Sequence, residues 1–108
     1  MALDIWLISE TGQGVKYVPI HMATHDAMWD WNQVNQQHFP LLSRMNCYYG
    51  AEGDAEFLPV EIGDLLAELR GFMDRPDLPS ASELEMERFI HLAQEAQRGR
   101  LGLEVRAD

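Results

Sequence analysis

The 108 residues contain one lysine and one cysteine, no low-complexity tract, and no apolar run approaching the ~20 residues of a membrane helix. Each shortage excludes something. The single Cys47 cannot form an internal disulfide, which fits a reducing compartment. Eight Lys and Arg against eighteen Asp and Glu leave a net charge of −10, and without clustered cations nucleic acid and anionic membranes are poor partners. No basic region followed by an apolar stretch and a small-residue cleavage site opens the chain, so a cytoplasmic protein is expected. What is present suffices for one compact domain over residues 1–108. With 46% hydrophobic residues the chain can bury roughly 65% of its unfolded surface in a single core.

The acidity is uneven. Residues 1–50 carry net −2, residues 51–87 net −9 from eleven acids and two arginines, and residues 88–108 net +1. Periodicity supplies the elements. Leu3-Asp4-Ile5-Trp6-Leu7-Ile8 reads as a strand buried on much of both faces, and Thr11-Gly12-Gln13-Gly14 as a turn into a second strand over Val15 to Ile20. Pro19 suits an edge position. Thr24 is placed to cap a helix from about His25 to His38. Pro40 opens a short helix with Leu41, Leu42, Met45 and Tyr48 or Tyr49 on one stripe, closed by Gly50. Residues 50–56 form an acidic loop, and Phe57 to Val60 either a short strand or the lead into a helix.

From Glu61 the stripe Ile62, Leu65, Leu66, Leu69, Phe72 predicts a helix ended by Pro76. Overlapping capping-box patterns, Ser80-x-x-Glu83 and Ser82-x-x-Glu85, start another near residue 82, which Gly99 stops. Leu101, Leu103 and Val105 alternate as a strand that only the N-terminal strands can hold. The expected fold is α+β, a small sheet of an N-terminal hairpin and a C-terminal strand covered by three to four helices. The opening Met1-Ala2-Leu3-Asp4-Ile5, the hairpin, the Thr24-His25 helix start, the acidic Leu65-Leu66 helix and the closing strand resemble a group of small uncharacterised phage and bacterial proteins. The resemblance covers most of the chain and implies this topology. It implies no activity.

Three functions are weighed. The acidic run and the aromatic residues favour a small interaction protein that binds a basic protein partner, as an immunity protein, an inhibitor or a mimic of nucleic acid does. Its expected surface comprises Trp29, Trp31, Glu52, Asp54, Glu56, Asp64 and Glu68. Tyr48 and Tyr49 add to the aromatic group. The second function is a small metal-dependent enzyme or ligand-binding protein built on His21, His25, Asp26 and Asp30. His21 and His25 have the i, i+4 spacing by which one helix face presents two imidazoles, but no third and fourth ligands complete a geometry. No cofactor is therefore expected. The third is an assembly subunit whose acidity serves solubility. Cys47 lacks the basic neighbours that activate a thiol, and Gly12-Gln13-Gly14 lacks the rest of a phosphate loop.

Overall fold

The computed structural model describes residues 2–35, 40–46, 55–74, 78 and 80–107. Four strands, β1 (Ala2–Ile8), β2 (Gly14–His21), β3 (Ala55–Phe57) and β4 (Gly102–Ala107), form one antiparallel sheet in the order β2-β1-β4-β3. Helices α1 (Met22–Asn35), α2 (Ser43–Asn46), α3 (Ile62–Met73) and α4 (Ser80–Gly99) fall between β2 and β4, with β3 interposed before α3. The α+β expectation holds. So does the pairing of the two chain ends, with Ile5 opposite Val105 at the centre of the sheet.

Strand alternation decides where the core lies. Leu3, Ile5 and Leu7 on β1, Ile20 on β2, Leu103 and Val105 on β4 and Phe57 on β3 all point to one side, where the helices cover them. Onto them pack Leu65, Leu69 and Phe72 of α3 and Met86, Phe89 and Ala93 of α4, each fully buried. These are the stripes that the 3.6 periodicity selects. A short edge strand forms, but over Ala55–Phe57, so it takes the last two residues of the expected 50–56 loop and shares only Phe57 with the stretch Phe57 to Val60; Pro59–Glu61 then makes a single 3-10 turn into α3.

Two glycines in and after the β1–β2 turn are required, one by backbone conformation and one by close approach. Gly12 takes φ +84° in the β1–β2 turn, which the Gly12 N–H to Ser9 carbonyl bond of 2.9 Å closes. Gly14 lies beneath the indole of Trp6, where a Cβ would stand 2.6 Å from Cε3.

The free edge of β2 is blunted in three ways. The register slips so that Leu7 faces Lys16 and Ile8 faces Gly14, leaving Val15 without an opposite number. The His21 N–H points away from β1 and is taken by Glu85 of α4, at 3.1 and 3.2 Å from the two carboxylate oxygens. Pro19 shares the parity of His21 along the strand, so its missing N–H falls on the open side.

Two helix ends differ from expectation. α1 begins at Met22, so Thr24 lies inside its first turn, buried, and does not cap it. Glu85 accepts the His21 N–H, immediately before the helix, from outside it. α4 includes Gly99, and the residue that turns left-handed is Arg100 at φ 57°. The Arg100 N–H reaches the Gln97 carbonyl at 3.3 Å and the Leu101 N–H the Ala96 carbonyl at 2.8 Å.

Candidate functional site

The acidic run does not survive as one surface. Glu68 of α3, expected to meet a partner, is 7% exposed and accepts the backbone N–H groups of Leu41 (3.0 and 3.1 Å) and Leu42 (2.9 Å). It satisfies orphan donors at the start of the Pro40–Asn46 turn and helix. Burial pushes its carboxyl above the usual range, outweighing the two backbone bonds.

Glu85 does the same for α1. Its carboxylate accepts the His21 N–H, the Thr24 hydroxyl at 2.6 Å and His21 Nδ1, while the Ser82 hydroxyl stands 2.9 Å from that of Thr24. Burial pushes this carboxyl up, but the Thr24 and His21 bonds together overcome it and hold it below the ordinary range. Glu61 chelates the Arg44 guanidinium, with one bond of 2.9 Å, and also accepts the Leu58 N–H at 2.9 Å. The Arg44 bond lowers the Glu61 carboxyl to about 2 and raises the guanidinium in turn. Three acids counted as field are thus internal clamps. Asp64 and Glu56 remain exposed, whereas Glu52 and Asp54 lie outside the described residues.

The histidine cluster separates. His21 ends β2 and leans on Glu85. His25, 1% exposed on α1, donates from Nε2 to the Met45 carbonyl at 3.2 Å and so braces α1 against α2. The i, i+4 spacing loses its meaning because one residue is strand and the other helix. Asp26 and Asp30 are exposed, and no group of three metal-capable side chains forms among the described residues. Cys47, His38, Tyr48 and Tyr49 lie outside them.

Trp31 is half-buried with its ring edge-on to Phe72 at 6.2 Å, a core position. Trp29 sits on α1, and its side chain is outside the description.

The aromatic surface lies elsewhere, on the face of the sheet turned away from the helices. β1 is not buried on both sides: Asp4, Trp6 and Ile8 are only half-buried, while Leu3, Ile5 and Leu7 are enclosed. Trp6 occupies the middle. Tyr17, 51% exposed, lies opposite it on β2 with ring centroids 4.8 Å apart, and the Arg106 guanidinium sits 5.4 Å over the indole. Across β4 and β3 the same face carries Glu104 opposite Trp6, Glu56 opposite Glu104, and Arg106 opposite Asp4. Arg106 Nε donates to Glu104 at 2.8 Å.

Three acids against one arginine give this face a net charge of −2, and Glu56 directly opposite Glu104 is a repulsive cross-strand pair. Sequence reasoning missed Trp6 and Tyr17. The signal available was Asp4 two residues before Trp6, since a charge on one face of a strand marks that face as wet. In comparisons with known protein families, curated proteins and solved structures, the chain matches none.

Proposed function

We propose that the protein is a small acidic interaction module that docks a basic protein partner on the outer face of its sheet. The observation that carries this reading is the Trp6–Tyr17 stack set among Asp4, Glu56 and Glu104 on the face of the sheet opposite the described helices. Rigid aromatic rings bury much area at low entropic cost and keep a polar handle, which is why they dominate interface energetics. Acids around them select for cations. The Arg106 guanidinium over Trp6 shows how an arginine seats on this surface, and a partner's arginine or lysine would take the remaining face of Tyr17 while relieving the Glu56–Glu104 repulsion. The overall charge of −10 would accelerate such an encounter at low salt.

A photo-crosslinking amino acid placed at Tyr17, and separately at exposed Arg70 on α3, tests the reading in extracts of the source cell. A basic protein crosslinked from position 17 and not from position 70, with a yield that falls as salt rises, is expected. Crosslinking from position 70 alone, or to a second copy of the chain, would overturn it.

A further inference from the structure

The basic residues of this acidic chain are not scattered. Three of its eight Lys and Arg side chains, Lys16, Arg88 and Arg98, line one cleft of about 500 Å³ between β2 and α4, together with His91. Arg88, His91, Glu95 and Arg98 follow at spacings of three, four and three, a single stripe of α4 about 15 Å long. Val18 and Leu92 line it with apolar surface.

The only acid among the described residues that line the cleft, Glu95, is already engaged by Lys16, whose Nζ is 2.9 Å from its carboxylate. Lys16, Arg88 and Arg98 against Glu95 leave a net +2. Arg44 is matched by Glu61 and Arg106 by Glu104, yet among the described residues Arg88 and Arg98 meet no carboxylate. In a protein with eighteen acids, two guanidiniums of one helix face that meet none of the described ones maintain a local positive field. The cleft volume falls in the range of small-molecule sites. A strand from another chain is a poor occupant, because the bulge at Val15, Pro19 and the Glu85 cap on His21 leave the β2 edge with little to pair.

We infer that the β2–α4 cleft is a binding site for a small phosphate-bearing anion, held by Arg88, His91 and Arg98 with Lys16 as a reserve cation. Guanidinium groups match phosphate oxygens in bidentate geometry, and the Val18–Leu92 surface would take the apolar body of an ester. The site is independent of the outer sheet face. Lys16 makes the assignment distinctive: while Glu95 holds it, it is neutralised, and removing that carboxylate should strengthen the site.

The test titrates the intact protein with inorganic phosphate, pyrophosphate and adenosine monophosphate at fixed ionic strength. Calorimetry and the NMR signals of the arginine Nε–H groups and the His91 ring supply the readouts. Saturable binding that perturbs Arg88, His91 and Arg98 is expected, weakened at least about tenfold in Arg88→Ala/Arg98→Ala. Glu95→Gln should tighten it about threefold or more. All the altered positions are solvent-accessible, and circular dichroism checks that the fold persists. Binding of all three probes alike assigns the site to the free ion chemistry, and preference for the monophosphate ester assigns it to an organic phosphate. Non-saturating shifts matched by chloride, or affinities unchanged in both variants, would overturn the inference.

Discussion

Glu85, in the first half of α4, stands 3.1 Å from the backbone nitrogen of His21, 64 residues earlier, and this one contact ties the junction of β2 and α1 to a third element. The same carboxylate takes the Thr24 hydroxyl. Removing it leaves the His21 N–H without its acceptor and the buried Thr24 hydroxyl with the Ser82 oxygen in place of a carboxylate, the costly asymmetry of hydrogen bonding.

Glu85→Ala should therefore lower stability by about 2 to 3 kcal/mol, and Thr24→Val by about 1 kcal/mol. Urea unfolding of the two single variants and the double variant should show a coupling of the order of 1 kcal/mol, because both act on one network. Simple additivity would mean that the Thr24 bond contributes independently of the clamp.

Acid stability should reflect two opposed effects. Glu61 and Glu85 have carboxyls lowered in the folded state, so their contribution is present above the ordinary carboxylate value and is lost as pH falls, for Glu61 down toward about 2. Glu68 is raised, so it favours the folded state at low pH and loses that contribution as pH rises through its folded value. Unfolding free energy measured from about pH 6 down to about pH 2.5 should fall less steeply in Glu61→Gln and more steeply in Glu68→Gln than in the parent. The Arg44–Glu61 pair is partly solvated, with side chains 41% and 22% exposed, so its share is about 1 kcal/mol.

Backbone conformation yields a pair of substitutions with opposite signs. Arg100 holds φ 57°, which glycine adopts without a Cβ penalty, so Arg100→Gly should stabilise by about 0.5 to 1 kcal/mol. Gly102 has ordinary φ but a Cβ there would meet the Phe57 carbonyl oxygen at 2.8 Å. Gly102→Ala should thus loosen the β3–β4 pairing at a cost of about 1 to 3 kcal/mol. Thermal melts of both variants decide the signs.

A truncation after Arg98 removes β4, which lies between β1 and β3 in the sheet. Two ladders go at once, together with buried Leu103 and Val105. The loss is comparable to the whole stability of a small domain, about 5 to 15 kcal/mol, so the truncated chain should lack a cooperative melt by circular dichroism.

How much of this was legible follows from the range over which each signal acts. Period-two alternation marked Leu103 and Val105, and period-3.6 spacing marked Ile62 to Phe72, because both are local consequences of backbone geometry. The charge map was misread at Glu61, Glu68 and Glu85. Each is spent on a backbone N–H or guanidinium distant in sequence or one turn away, and nothing in its neighbours distinguishes a clamp from a solvated acid. Trp6 carried a hint in Asp4. The meeting of Lys16 with Glu95, 79 residues apart, was beyond any local pattern.

The adjacency of β1 and β4 also sets a timetable. Ile5 finds Val105 only after a loop of 100 residues has closed, whereas the β1–β2 hairpin and the α3–α4 pair need only their own neighbourhoods. During synthesis, the inner edge of the hairpin, on β1, has to wait for β4 to be made. Until then β1 exposes an unpaired edge beside Ile5 and Leu7, while the opposite edge, on β2, is already shielded by its own bulge and proline. The protection that does not depend on later-synthesised elements is thus built into β2, which stays at the edge of the sheet, while β1, destined for its interior, keeps an open edge until β4 follows.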